Sequence, residues 1–453
     1  MKKYLFKFCL AITLVTILSS CNKTWLDAKP DSHMVVLSSL DDYQSLMDNI
    51  AFTGANYLGE VGTDNFYLPQ TNLISLSASD LALYLWAPNG YGVPSIGAWY
   101  LYNNIFTCNS TITALNKIGS STTTLNQYNQ IAGRAHFWRA FDYFELAKAF
   151  TKNYDSLTAT TDPGIPLHLE ADITQIPGRG TVKQVYDQII SDLLTASNLL
   201  SPATQAYKIR PNKTAGFAML ARVYLSMEKY NLADLYADSA LQLNSHLLDY
   251  NTLTPSTYFG FPVYNLNPEV IFYAQSSSTD LYVSRARIDS VLYSSYASND
   301  LRKNLFFRIS AGAVFRGSYD GSSRNQFFAA PAVDELYLIR AECEARAGNT
   351  TAAMNDLNSL LITRFKTGSF SPYTATDAND ALTQILKERR KELLMRFTRW
   401  TDLKRLNKDP RFFTTITRIY NGTSYTLAPG DNKYQWPIPD DEILYSGIAQ
   451  NPR

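Results

Sequence analysis

The chain has 453 residues, and its 41 Lys plus Arg almost cancel its 40 Asp plus Glu. No net field therefore draws it to nucleic acid or to an acidic lipid surface, so neither is expected as an electrostatic partner. Tyrosines are plentiful, 30 against 6 Trp, and tyrosine suits half-buried, half-wet positions, binding surfaces among them.

The first element is a leader. Lys2, Lys3 and Lys7 precede Phe8 to Leu18, the only long uncharged apolar run. Crossing ~30 Å of hydrocarbon takes ~20 apolar residues, so this run is too short to span. A basic start and an apolar middle read instead as a secretory signal over residues 1–20. The small residues Ser19 and Ser20 lead directly into Cys21. Leu18-Ser19-Ser20-Cys21 looks like a bacterial lipobox, in which the cysteine thiol receives a diacylglyceryl group before cleavage. Each buried methylene contributes ~0.8 kcal/mol and stable anchoring takes about two chains. A lipidated Cys21 thus tethers residues 21–453 without any transmembrane helix. That remainder is long enough for an extensive core. Cys9 leaves with the leader, and export permits a disulfide between Cys108 and Cys343. Two unlinked, mostly buried thiols is the default reading. No C-x-x-C or H-x-x-x-H occurs, and His33, His136, His168 and His246 lie far apart, so no metal site and no cofactor is expected.

Helical stretches dominate the rest. Residues 129–150 read as a long amphipathic helix, and residues 181–200 open with Thr181 and Gln184 spaced as a capping box. Residues 214–241 have the pairing of a tetratricopeptide unit. Phe217, Leu220, Ala221 and Tyr224 share one face of a first helix, and Ala233, Ala237 and Ala240 share one face of a second. A second unit covers 334–361, with Tyr337 and Ala341 on one helix and Ala353 and Leu357 on the return. Gly348-Asn349 supplies the turn, since both residues tolerate a left-handed helix end. Leu386, Arg389, Leu393, Phe397, Trp400 and Leu403 then follow helical spacing through "KERRKELLMRFTRWTDLKRL" (387–406). Glu392/Arg396 and Arg399/Asp402 are within pairing reach, and Arg389, inside an apolar stripe, needs a buried acidic partner. By contrast, 53–98 and 247–330 are rich in Gly, Asn, Ser, Tyr and Phe with little helical periodicity. Loops this long are functional or disordered, and their aromatic content argues against disorder. The expected fold is mainly α: a tetratricopeptide-like helical-hairpin scaffold carrying an irregular, aromatic-rich second lobe.

Several segments also resemble the RagB/SusD family of outer-membrane nutrient-binding lipoproteins. "WLDAKP" after the anchor looks like the family's mature start, and "WYLYNNIFTCNSTI" (99–112) resembles its Trp-x-x-Tyr-x-x-Ile-x-x-x-Asn helix. "RGTVKQVYDQIISDL" and "RPNKTAGFAMLARVYLSM" are similar to two further segments. The Glu-Arg-Arg, Glu-Leu and Arg-Trp-x-Asp-Leu series of 387–406, then "WPIPDDEI" and "QNP", match its carboxy-terminal pieces. Arg396-Phe397 stands where the family often has Glu-Gly. The resemblance implies a single SusD-like domain over 21–453, with ligand-binding insertions at about 53–98 and 247–330. It implies a lipid-anchored protein at the surface of the outer membrane that binds oligosaccharides, or peptides, and delivers them to a SusC-like TonB-dependent transporter. It assigns no ligand residues, because these vary with the ligand.

Sugar rings present apolar C–H faces rimmed by hydroxyls, so a site for them needs aromatic platforms beside amide, carboxylate or guanidinium groups. Trp86 and Tyr91 flank Pro88-Asn89-Gly90 in a Gly/Pro-rich loop; Trp86 either touches ligand or caps the core, and Asn89 is a polar candidate. The second irregular region offers Tyr258, Tyr264, Tyr282, Arg285, Arg287, Tyr319 and Asp320, although "LYVSRARID" alternates like a half-buried strand. Asp64-Asn65 are weaker polar candidates, and Trp99 reads as structural. The rival classes are an enzyme and a helical-repeat protein-interaction module. Asp41-Asp42 and Asp440-Asp441 are the conspicuous carboxylate pairs. Sequence neighbours do not make a glycosidase dyad, and no nucleophile elbow, phosphate loop or dinucleotide fingerprint occurs.

Overall fold

The computed structural model describes residues 37–49, 52, 54–88, 99–255, 260–276, 285–316, 319, 321 and 327–453. The leader and Cys21 lie outside the described residues, as do Asn89, Tyr91, Tyr258, Tyr282 and Asp320. No helix among the described residues is long and apolar enough to cross a membrane.

Among the described residues, ten helices of eight or more residues carry the fold: α1 (Leu40–Met47), α2 (Leu101–Ile118), α3 (Leu125–Phe150), α4 (Val182–Leu199), α5 (Lys213–Ser226), α6 (Tyr230–Leu243), α7 (Val333–Arg346), α8 (Thr350–Leu361), α9 (Ala378–Glu392) and α10 (Arg399–Leu406). The expected capping box opens α4. Thr181 Oγ1 accepts the Gln184 amide at 3.2 Å, and Gln184 Oε1 accepts the Thr181 amide at 2.8 Å, which satisfies two of the donors a helix start leaves free. In the α5–α6 hairpin, Ala233, Ala237 and Ala240 are wholly buried opposite Leu220 and Ala221. These small residues let the two axes approach until Tyr224 and Tyr236 stack at 5.5 Å. Gly348 turns α7 into α8 at φ +89°.

Helices α2 to α9 stack in chain order, and α6 packs directly on α7 although residues 244–332 separate them. The hairpin scaffold is therefore continuous in space, with the irregular stretch looped out of it. That stretch combines with the first one. β1 (Gly54–Ala55) pairs in parallel with β5 (Gln275–Ser276), and β9 (Phe327–Phe328) adds antiparallel to β5. β2 (Phe66–Tyr67) pairs antiparallel with β6 (Arg287–Ile288), and β7 (Phe307–Ile309) with β8 (Ala313–Phe315). Short β3 (Pro163–Pro166) and β4 (Arg179–Thr181) join the scaffold, and a hairpin of β10 (Ile416–Tyr420) and β11 (Thr423–Leu427) follows α10. Lobe and scaffold share one core: Phe272 of the lobe meets Phe137, Trp138 and Phe141 of α3 edge-on at 4.9–6.1 Å.

The carboxy-terminal segment departs from expectation. Residues 387–406 are two helices, because Met395 and Phe397 both sit at φ +59° between α9 and α10. The break separates Glu392 from Arg396. Glu392 instead accepts from Arg302 at 2.9 Å and Arg364 at 2.7 Å, and Arg396 pairs with Asp334 at 3.0 Å. Arg399 turns away from Asp402 and grips Asp64 through two bonds of 2.7 and 2.8 Å. Arg389 does lie in a buried pair, 2.9 Å from Asp402. Cys108 and Cys343 are both buried and unbonded.

Candidate functional site

Several of the candidate residues are structural. Trp86 is only 1% exposed, with a left-handed backbone (φ +51°), and its indole N–H donates to the Gly62 carbonyl at 3.2 Å. Arg418 of β10 lies between Trp86 and Tyr84, its guanidinium 4.2 and 3.9 Å from their ring centres. That guanidinium also donates to the carbonyls of Val61, Thr63 and Tyr84. A cation held between two rings and three carbonyls locks this corner. Trp86 thus caps the core and offers no platform to a ligand. Tyr319 is likewise buried: its hydroxyl bonds Glu269, and Arg396 covers its ring at 4.1 Å. Both residues were candidates because they occur in irregular sequence, and both are enclosed by arginines remote in the chain.

The polar candidates Asp64 and Asn65 are enclosed too. Asp64 holds Arg399 and Arg390, and Asn65 donates to Glu60 at 2.7 Å. Tyr264 stacks on Tyr273 at 4.1 Å and stays partly exposed. Trp99 packs on Tyr102 and Phe150, as a structural residue should. Asp41-Asp42 and Asp440-Asp441 occupy the first turns of two helices, where carboxylates complement the helix dipole.

What remains is a surface on the lobe, built by β2, β6 and the β7–β8 hairpin. Strand alternation turns Phe66 inward and Tyr67 outward, leaving Tyr67 43% exposed. Tyr67 stands directly opposite Arg287 in the antiparallel pair, which brings the two side chains to one face. Arg287 is held by the carbonyls of Ala311 at 3.1 Å and Ala286 at 3.0 Å. The turn passes so close that a Cβ on Gly312 (φ +114°) would lie 3.1 Å from Arg287 Cδ and 3.5 Å from the Tyr67 hydroxyl. Beside them Arg285 donates to the hydroxyl (2.6 Å) and carbonyl (3.1 Å) of Ser75, and its own carbonyl accepts from Asn72 at 2.8 Å. Ile74 and Ile309 add exposed apolar surface. The structure therefore brings Arg285 and Arg287 together with Tyr67, which the sequence reading missed. The inward–outward alternation of Phe66-Tyr67 was the available signal. A half-exposed phenol ring and two braced guanidiniums are elements that hold a polyhydroxylated ring.

The comparisons with known proteins agree with this architecture. A family model described as "Starch-binding associating with outer membrane" matches residues 24–225, and one described as "SusD family" matches residues 334–453. Among solved structures, a SusD superfamily protein from Bacteroides thetaiotaomicron is 20% identical with a TM-score of 0.74, over 92% of this chain and 100% of its own. A SusD superfamily protein from Bacteroides vulgatus is 21% identical with a TM-score of 0.73, over 92% and 99%. A SusD-like carbohydrate binding protein from the same species is 18% identical with a TM-score of 0.68, over 91% and 97%. No protein of curated function matches the chain.

Proposed function

We propose, from the premise that the chain belongs to the SusD/RagB family, that it captures oligosaccharides at the cell surface and delivers them to a SusC-like TonB-dependent transporter without altering them. The Tyr67–Arg287 face carries this reading. An aromatic ring 43% exposed, opposite a guanidinium fixed by two carbonyls, gives a sugar both a stacking surface and planar hydrogen-bond donors. The shared fold supports the same role, since a Bacteroides vulgatus protein described as carbohydrate binding is similar over 97% of its own length. Lipid on Cys21 holds the folded body at the outer membrane, and the hairpin scaffold is the side available to a transporter.

Calorimetric titration with a panel of glucan and other plant or host oligosaccharides tests the reading. Tyr67→Ala and Arg287→Ala are each expected to weaken the bound glycan by about tenfold or more, which is ~1.4 kcal/mol, with the unfolding transition unchanged. Glycan binding indifferent to both substitutions would sink the assignment of this face. New reducing ends on incubation would overturn the non-catalytic reading, and absence of labelled fatty acid on Cys21 in growing cells would overturn the anchor.

A further inference from the structure

A second cavity, of about 200 Å³, shares no residue with the Tyr67–Arg287 face. It lies between the loop after α3, helix α10 and the stretch 430–435. Its floor is polar. Asn407 is satisfied, donating to the Tyr434 hydroxyl and accepting from the Thr414 amide, each at 2.8 Å. The Gln435 side chain is not. It is 3% exposed, and among the described residues its amide makes no hydrogen bond. Gln435 lines the cavity, so its amide is open to a hydrogen-bonding ligand there.

Lys404 is the other unusual group on this floor. Its ammonium donates to the carbonyls of Thr151 at 2.6 Å and Lys148 at 3.2 Å, at the end of α3. Those two bonds cap the helix, but no carboxylate lies within 4 Å of the charge among the described residues, and burial together with the Lys148 charge pulls its pKa down to about 7. Both other lysines that line it do have an acid: Lys152 bonds Asp162 at 2.7 Å and Lys408 bonds Asp155 at 2.9 Å. The pocket thus has paired charges at its rim and one cation without a counter-charge at its base. A helix cap accounts for the lysine alone; it leaves the cavity and the open Gln435 amide unexplained.

We infer that this cavity is a second ligand site, taking a small hydroxylated carboxylate of the sugar-acid class, with its carboxylate directed to Lys404 and Gln435 and its hydroxyls to the rim. The volume is below the ~300–1,000 Å³ of clefts for drug-sized ligands, which fits one ring and not a chain. An acid supplies the missing counter-charge, and a neutral sugar does not. A buried charge-assisted hydrogen bond is about twice as strong as a neutral one, so the selectivity for acid over neutral sugar is the signature.

The test is calorimetric titration of the full-length protein with D-glucuronate, D-galacturonate and D-glucose at pH 6.5. At least one uronate should bind saturably, with glucose about tenfold weaker or worse. Lys404→Met and Gln435→Leu should each weaken the uronate about tenfold. Thr158→Trp, at the exposed rim, should abolish uronate binding with the unfolding transition intact, and it carries the test if the buried variants do not fold. Tyr67→Ala should leave uronate binding untouched, which separates this site from the oligosaccharide face. Failure of both uronates to bind, equal binding of glucose, or uronate binding that survives Thr158→Trp would each overturn the inference.

Discussion

Glu60 shows how a single buried group sets a pH response. It is wholly buried, with one carboxylate oxygen accepting from Asn65 at 2.7 Å and Thr63 at 3.3 Å, and the other without a partner. Burial, with the Asp64 charge adding to it, raises its pKa from 4.5 to about 7. Between those two values the folded protein keeps a proton that the unfolded chain has released, so stability falls as pH rises through the window. The loss amounts to roughly 3 kcal/mol at most, at ~1.4 kcal/mol per pH unit. Glu60→Gln keeps an oxygen for Asn65 and carries no charge, so it should flatten that loss. Denaturant midpoints at pH 5 and pH 8 measure it, and equal falls in wild type and variant would contradict the account. Arg389 was readable as a buried partner-seeker because it interrupts an apolar stripe. Glu60 was not, because nothing within "YLGEVG" tells that the whole turn is covered.

At the scale of elements, turns and caps written in a few adjacent residues are the legible part. The β10–β11 hairpin turns through Asn421 and Gly422, at φ +49° and +78°, the left-handed pair a two-residue hairpin wants. A Cβ on Gly422 meets nothing within 4 Å, so Gly422→Ala should cost only the backbone term of roughly 1–2 kcal/mol, read as a small drop in denaturant midpoint. A loss several times larger would mean that the turn also fixes the strand that carries Arg418. The capping box of α4 and the alanine face of α6 were legible for the same reason: spacing of three or four residues determines who meets whom. The break between α9 and α10 was hidden. Non-glycine residues seldom take positive φ, and Met395 and Phe397 carry no mark of it. Phe397 holds that conformation while buried in the core against Phe327, so packing outweighs a local cost of roughly 1–2 kcal/mol.

Across the whole molecule, buried ion pairs join the lobe to the scaffold. Glu269 binds Arg364, Arg364 binds Glu392, and Glu392 shares Arg302 with Asp300 and Glu388, at 2.7–2.9 Å throughout. Removing one partner of such a set leaves a buried charge bare, at ~3–5 kcal/mol. The shared aromatic core around Phe272 and this network together predict one cooperative unfolding transition for lobe and scaffold. Calorimetry that resolves two would show that the lobe is a separate unit. Arg302→Met should lower that single transition and not split it.

The amino-acid sequence alone determined the helical hairpins and their caps and turns, because each is a pattern of near neighbours along one chain. It also held the segments that mark the family. Only the tertiary structure decided which aromatic residues face solvent. Trp86 and Tyr67 both stand in irregular sequence, yet Arg418, more than 300 positions away, covers one and strand alternation exposes the other. Burial depends on what folds over a residue from elsewhere in the chain, and local spacing carries no information about that.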